Sequence, residues 1–172
     1  AGMPKKSSAY AEEGTAAHEL AEMCLTKNQK PSDHIGTFIS VGETAYEVTP
    51  EMAEAVALYV DTVRIDATHA GKGAVAEVEK KFKLDWLYDG LYGTNDALVG
   101  QPFGLLQIYD LKYGAGVAVE VENNPQLMYY ALGACHGETS ASSQSVSTAW
   151  FGTTRLYTFI ENSGMASAKM LI

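Results

Sequence analysis

Hydrophobic residues recur at every third or fourth position in three segments of the chain, a spacing that predicts helices. The first segment covers residues 8–27, the second runs from Thr49 to about Gly71, and the third covers about 126–134 after Asn124. Thr49 and Asn124 are each followed by a proline, an order of residues that commonly begins a helix. We therefore expect two helices before Gly71 and one after Asn124.

Alternation of apolar and polar residues predicts strands between the second and third helices. Residues 74–84 alternate in this way, and two further apolar stretches, 91–99 and 105–112, are separated by the short loop 100–104. Short connections of this kind join antiparallel strands. We therefore expect three consecutive antiparallel strands.

The order of these elements predicts the fold class. Two helices, three antiparallel strands and a third helix indicate an α/β (α+β) domain with a central mixed β-sheet flanked by helices. Residues 1–172 are treated as a single domain because no internal repeat or long linker divides them. A short strand is also expected at 37–41, and two more at 149–151 and 155–160 in a C-terminal part whose pattern is weak.

Composition limits the type of protein. The 172 residues are 47% hydrophobic and 19% charged, which is sufficient for a folded core. No apolar stretch approaches the length of about 18 residues that a membrane-spanning helix needs. Two cysteines are too few for a disulfide framework, which favours a cytoplasmic protein. The net charge of −9 argues against a nucleic-acid-binding protein, but a metal site also concentrates carboxylates.

The chemically informative residues are Asp96 and the D-x-K sequence formed by Asp110 and Lys112. Residues two apart in a strand share a face, so Asp110 and Lys112 are expected to point the same way. If Val99 pairs with Leu105 across the loop, Asp96 and Asp110 are diagonal neighbours, roughly 7–8 Å apart at their backbones. Two carboxylates at this spacing suit Mg2+ or Mn2+ as the bound cation.

An aspartate and a lysine in such an apolar strand need partners. One interpretation is a structural ion pair between Asp110 and Lys112. The other is phosphodiester hydrolysis, in which a metal held by Asp96 and Asp110 activates water and polarises the phosphate. Lys112 would then position the water and stabilise negative charge.

Two helices offer further candidates for the same site. His18 lies on the first helix, and a neutral imidazole can provide a nitrogen ligand to a metal. Gln126 and Tyr130 are four residues apart on the third helix and therefore share one face. They could hydrogen-bond a phosphate or orient Lys112.

These stretches together resemble a known family. Residues 10–134 are similar to the phage- and prophage-encoded RecB-like nucleases of the PD-(D/E)XK superfamily. The similar stretches are YAEEGTAAHELAE (10–22), TPEMAEAV (49–56), GTNDA (93–97), IYDLKYGAGV (108–117) and NPQLMYYALGA (124–134). The order of histidine, aspartate, D-x-K and Q-x-x-x-Y is that of RecB-type nucleases.

The resemblance implies a restriction-endonuclease-like core and a role for each candidate. The implied metal ligands are the side chains of His18, Asp96 and Asp110 and the carbonyl of Leu111. Lys112 would be the catalytic lysine, and Gln126 and Tyr130 would form the fourth motif. Glu79, on the preceding strand, would be an additional acid near the site.

The resemblance also implies partners and a cellular setting. Such nucleases use Mg2+ or Mn2+ and act on DNA, at duplex ends or on single strands, often as exonucleases in phage recombination or repair. Some form ring-like homo-oligomers, and a phage recombination protein is an expected partner. The setting would be the cytoplasm of a bacterial host. The family pattern further includes an N-terminal segment with a Cys-Pro element, which this sequence lacks. It also includes a core strand and a helix after Ala134, and residues 135–172 do not match that part of the pattern.

Two other functions remain open from the sequence. In a zinc hydrolase, His18 and Glu22 would occupy one helix face, although the second histidine of an H-E-x-x-H motif is missing. In a catalytically inactive nuclease fold, the chain would bind DNA or a protein partner without cutting. Metal affinity separates the three: magnesium or manganese for the nuclease, tight zinc for the second, and neither for the binding module.

Aromatic residues around the strands are candidates for contact with nucleic acid. Trp86, Tyr88, Tyr92 and Tyr113 could stack on unpaired bases at a duplex end or belong to the core.

Overall fold

The protein has a mixed α+β fold, in which helices flank a central five-stranded sheet. The computed structural model describes residues 9–85, 88–101, 104–114, 124–136, 154–161 and 168–171. The helices are α1 (Ala9–Lys27), α2 (Pro50–Ala70) and α3 (Pro125–His136), with a short 3-10 helix at Pro31–His34. The strands are β1 (Phe38–Val41), β2 (Thr44–Glu47), β3 (Val75–Lys83), β4 (Tyr92–Gly100), β5 (Leu106–Tyr113), β6 (Thr154–Glu161) and β7 (Ala168–Leu171).

Capping residues set the start of α2 as the sequence predicts. The Thr49 side chain accepts a hydrogen bond of 3.2 Å from the backbone N–H of Met52, and Pro50 occupies the first turn. The buried face of α2 includes Val56, Tyr59 and Val63, which recur at the spacing of an amphipathic helix. In the described part of the chain, no helix has the length and apolar character needed to cross a membrane.

The central sheet has the strand order β3-β4-β5-β6-β7. Strands β3, β4 and β5 are antiparallel neighbours, whereas β6 runs parallel to β5. The sheet is therefore mixed, and the predicted fold class is confirmed. The strand expected at 155–160 is confirmed as β6, so a core strand does follow α3. The strand expected at 149–151 lies outside the described residues.

The predicted register between β4 and β5 is wrong by two residues. Val99 lies opposite Gln107, not Leu105, and the last pair before the loop is Gly100 with Leu106. The turn accounts for the difference, because the N–H of Gln101 donates to the Leu105 carbonyl at 3.0 Å. Gln101 and Leu105 therefore close the loop, and each paired residue of β4 lies opposite a residue two positions later in β5 than predicted.

Two hydrophobic clusters pack against opposite faces of the sheet. The larger joins α1 and α2 to β4 and β5 through residues that include Leu20, Tyr59 and Tyr109. The smaller joins α3 to the other face through residues that include Phe82 and Ile108. Strand β5 is buried from Leu106 to Leu111, as expected for a strand in the middle of a covered sheet. We call the two surfaces the α1/α2 face and the α3 face.

Candidate functional site

Strands β4 and β5 separate where the candidate acids lie. Their pairing runs from Gly100 with Leu106 to Ala97 with Tyr109. Asp96 and Asp110 are the next residues along each strand, so the register brings them to the same level at the point of separation, which we call the fork. The amide of Asn95 enters the fork and donates to the Tyr109 carbonyl at 3.0 Å. The two aspartates are thus neighbours across the fork.

Helix α1 brings His18 to the fork. Gly14 allows the helix to come close to β5, since a Cβ at this position would lie 3.0 Å from the Tyr113 carbonyl oxygen. His18 is one turn further along the same side of α1. Its Nδ1 lies 3.5 Å from Oδ2 of Asp96. The G-x-x-x-H spacing therefore has two effects: Gly14 lets α1 pack closely against β5, and His18, one turn later, lies beside Asp96.

Asp96 is held in place by the neighbouring strand. Its Oδ2 atom accepts a hydrogen bond of 2.7 Å from the backbone N–H of Leu111. Burial lowers the pKa of His18, but the hydrogen bond and the negative charge of Asp96, assisted by Asp110, raise it above its ordinary value. A cation at this site would therefore compete with a proton on the imidazole.

Glu79 faces the same site because the alternation of side chains between the two faces of β3 is interrupted at this residue. Its φ is +50°, a left-handed conformation that non-glycine residues adopt infrequently. On β4, both Leu98 and Gly93 face α3, although alternation would place residues five apart on opposite faces. One reversal between them directs Glu79 and Asp96 to the α1/α2 face. Local strain of this kind often accompanies functional residues.

The acids and the histidine form a compact group of possible metal ligands. One ligand atom from each of His18, Glu79 and Asp96 lies within 4.8 Å of the others. These three side chains line a narrow cleft under α1. The other residues of the cleft are Ala21, Glu22, Leu25, Tyr59, Val78 and Leu111. Burial, followed by the charge of Asp96, raises the pKa of Glu79.

Asp110 lies outside that group of three and contacts the catalytic-lysine candidate. Its Oδ1 accepts a hydrogen bond of 2.8 Å from Nζ of Lys112. Its side chain is 1% exposed, and its Oδ2 has no hydrogen-bond partner among the described residues. Burial and the charge of Asp96 raise the pKa of Asp110 to about 6, against the opposing effect of Lys112.

Helix α3 adds the last two candidates. Nε2 of Gln126 donates to the Tyr130 hydroxyl at 2.7 Å, so the predicted shared face is present. Burial raises the pKa of Tyr130, and the charges of Asp110 and Asp96 add to the increase. Tyr130 on the α3 face is therefore close enough for the charges of Asp110 and Asp96 to act on its hydroxyl.

The donor set fits a hard divalent cation. Carboxylate oxygens dominate it, with one imidazole nitrogen from His18. Oδ2 of buried Asp110 accepts no hydrogen bond from the described residues, so a bound cation would offset the cost of burying it. Burial, and then the negative charge of Asp96, raises the pKa values of Asp110 and Glu79, so a bound cation would stabilise their charged forms. Leu111 lines the cleft, and the role of its carbonyl stays a prediction.

Sequence reasoning identified most of these residues but underestimated Glu79. Alternation along β3 gave Glu79 no special place, and the reversal at positive φ carries no composition signal. The family resemblance alone suggested Glu79 as an additional acid near the site. The spacing of Gln126 and Tyr130, in contrast, was sufficient to predict that they share a helix face, although it did not predict the hydrogen bond between them.

Comparison with known proteins adds a family and no activity. No solved structure matches the chain. A family model described as "Protein of unknown function (DUF2800)" matches residues 1–144, which is most of the 172-residue chain. The chain therefore belongs to the DUF2800 family.

Proposed function

We propose that this protein is a metal-dependent nuclease that hydrolyses phosphodiester bonds in DNA. The proposal is supported by the convergence of four sequence motifs on one fork: His18 from α1, Asp96 from β4, Asp110 with Lys112 from β5, and the Gln126–Tyr130 pair from α3. These motifs are distributed over more than a hundred residues of sequence. Their order is that of the RecB-like PD-(D/E)XK nucleases that the sequence resembles.

A bound Mg2+ or Mn2+ would supply electrostatic stabilisation of the phosphate and a more acidic water. His18, Asp96 and Asp110 would hold it, with Glu79 as a further carboxylate and the Leu111 carbonyl as a backbone oxygen. Asp96 is already oriented by the N–H of Leu111. A ligand fixed in this way needs little reorganisation when a cation binds.

Lys112 has the chemistry required of the remaining catalytic group. Its side chain is 31% exposed and its ammonium lies 2.8 Å from Oδ1 of Asp110, so Lys112 contacts both the acid and solvent. From this position it would orient the attacking water and stabilise the negative charge that develops on the phosphoryl oxygens. The Gln126–Tyr130 pair lies on the α3 side, where a hydroxyl and an amide would bind a phosphate oxygen.

The observation that carries the proposal is the pairing of buried Asp110 with Lys112 beside His18 and Asp96. The test is digestion of linear double-stranded DNA labelled at one end, in manganese, magnesium or EDTA. We expect wild type to cleave only with metal and Lys112→Ala to be inactive. Lys80→Ala is a matched control, because Lys80 is 30% exposed and pairs with Glu77 at 2.9 Å.

The outcomes separate the interpretations. A ladder of products from the labelled end indicates an exonuclease, whereas internal products indicate an endonuclease. We expect an exonuclease, because the RecB-like nucleases that the sequence resembles often act on DNA ends in recombination or repair. Cleavage that survives Lys112→Ala would remove the assigned role. No cleavage in any metal, from folded protein, would overturn the proposal.

A nuclease fold that binds without cutting is the second candidate. One observation favours it: Lys112 and Asp110 satisfy each other directly, as they would in a structural ion pair. Such a protein would bind DNA but leave it uncut in manganese and in magnesium. The zinc alternative has less support, because the ligand group around His18 adds two carboxylates and no second histidine among the described residues.

The wider setting follows from the proposed activity. We infer that DNA is the partner, at duplex ends or as single strands, in a bacterial cytoplasm where phage recombination takes place. A homo-oligomer and a phage recombination protein as partner belong to the same proposal. Size measurement in solution, with and without DNA, tests the first of these.

A further inference from the structure

A basic and aromatic surface lies next to the candidate site, at the end of the β3–β4 hairpin. Lys83 pairs with Tyr92 and Lys81 pairs with Thr94 across the two strands. Directly opposite residues share a face of a sheet. The alternate pair, Phe82 with Gly93, packs toward α3. These four residues therefore lie on the α1/α2 face, and we call them the hairpin surface.

The hairpin surface is continuous with the metal-ligand group. Thr94 is two residues before Asp96, and Lys81 is two residues after Glu79. At about 3.3 Å per residue, Tyr92 is about 13 Å from Asp96 along β4. The positive charge of Lys81 acts on Glu79, opposing the burial that raises the pKa of that acid. A chain lying on the hairpin surface would enter the site directly.

The surface is accessible and its charges are uncompensated. Lys81 and Lys83 are exposed, and among the described residues neither has an ion-pair partner. Lys80, which faces α3, is neutralised by Glu77 at 2.9 Å. Tyr92 is 76% exposed. In a protein with 12 basic and 21 acidic residues, three of the basic residues fall within positions 80–83.

We propose that the hairpin surface binds single-stranded DNA, with Lys81 and Lys83 on its phosphates and one base stacked on Tyr92. A positive groove with an aromatic platform is the usual means of binding a single strand. Inside a duplex both faces of a paired base are covered by its neighbours, so Tyr92 can stack on every base of an unpaired strand but only on the terminal pair of a duplex. This inference rests on the proposed function and adds the substrate form: a DNA end with an unpaired strand.

The test measures binding in EDTA, so that cleavage plays no part. The probe is fluorescein-labelled oligo(dT), followed by anisotropy over a series of salt concentrations. For the double variant Lys81→Ser, Lys83→Ser we expect weaker binding and a salt slope smaller by about 1.4, at about 0.7 for each phosphate contact. For Tyr92→Ala we expect weakening of about fivefold to a hundredfold, with Tyr92→Phe close to wild type.

Two variants control for charge and for exposed aromatic area. The double variant Lys30→Ser, Lys72→Ser also removes two exposed positive charges but leaves the hairpin surface intact, and Phe38→Ala removes a ring that is 65% exposed on β1. Both should bind oligo(dT) as wild type does. Equal affinity in the hairpin variants, no binding by wild type, or tighter binding of blunt duplex or of RNA would each overturn the inference.

Failure of the inference and failure of the proposed function are distinguishable. If the hairpin variants bind normally while wild type cleaves DNA with metal, the nuclease stands and the surface is wrong. If the hairpin variants lose binding while no metal supports cleavage, the surface stands and the protein is a binding module.

Discussion

The carboxylate of Asp96 accepts a hydrogen bond of 2.7 Å from the backbone N–H of Leu111, across the fork between β4 and β5. The same Oδ2 atom lies 3.5 Å from Nδ1 of His18. Beyond the last paired residues, the Asp96 side chain therefore takes the place of a backbone carbonyl of β4 in accepting the hydrogen bond from β5. The same carboxylate also faces α1. One side chain both closes the fork and contributes to the candidate metal site.

Asp110 is expected to lower stability when no metal is present. Its pKa is raised from 3.8 to about 6, mainly by burial. A group whose folded-state pKa is raised contributes stability below its unfolded pKa, and that contribution disappears as pH rises through about 6. The charged carboxylate therefore costs the folded protein about 1–3 kcal/mol at neutral pH, at about 1.4 kcal/mol per pKa unit.

Asp110→Asn tests this cost. In EDTA at neutral pH we expect the variant to have a higher free energy of unfolding than wild type, since the amide is neutral and still accepts from Lys112. The difference should shrink as pH falls toward 4, where the wild-type acid is protonated. Urea unfolding at several pH values measures both. A large loss of stability in the variant would instead indicate that the ion pair with Lys112 is structural.

Lys112→Ala is expected to separate catalysis from metal binding. The ammonium is not a ligand, and its removal takes a positive charge away from the cation site. Manganese affinity, measured by calorimetry, should therefore be unchanged or slightly tighter, while cleavage falls by at least about a hundredfold. Lys80→Ala should change neither quantity. A marked loss of manganese affinity in Lys112→Ala would mean that the lysine organises the ligands.

The sequence was sufficient to predict most of the fold for identifiable reasons. Proline after a capping residue marked the starts of α2 and α3, and alternation marked β3. Loop length suggested antiparallel pairing of β4 and β5 but not its register, because the turn hydrogen bond from Gln101 to Leu105 depends on backbone geometry. Residues that share no local pattern with their partners, such as Asp96 and His18, were connected only through the family resemblance.

Glu79 shows which part of the site local patterns do not encode. Its positive φ occurs in β3, which lies at the edge of the described sheet beside β4, and a left-handed conformation costs a non-glycine residue about 1–2 kcal/mol. Glu79→Gly and Glu79→Ala both remove the carboxylate, but only glycine also relieves the backbone. We expect Glu79→Gly to be about 1 kcal/mol more stable than Glu79→Ala in EDTA, against the usual preference in strands.

Glu77 provides the matched comparison in the same strand, because its φ is not positive. There we expect the ordinary order, with alanine more stable than glycine. Chemical denaturation of the four variants measures both differences. The same order at both positions would show that Glu79 carries no backbone strain. Both Glu79 variants should also bind manganese more weakly than wild type, whereas the Glu77 variants should not.

Gly133 sets the distance between α3 and the sheet. A Cβ at this position would lie 2.7 Å from Cγ and 2.8 Å from Cβ of Phe82, closer than side chains pack. Replacing an exposed glycine in a helix by alanine normally raises the stability of the protein by about 1 kcal/mol. Here we expect the opposite, a loss of about 1–3 kcal/mol, because α3 must move away from a strand that it packs against closely.

The functional consequence follows from what α3 carries. A shift of the helix moves Gln126 and Tyr130 relative to the fork but leaves His18 and Asp96 in place. Gly133→Ala should therefore lower DNA cleavage while manganese affinity stays near that of wild type. Leu132→Ala, at a side chain that is 39% exposed on the same helix, is the control. If Gly133→Ala instead raised stability, α3 would not be held against Phe82, and the position of the Gln126–Tyr130 pair beside the fork would lose its support.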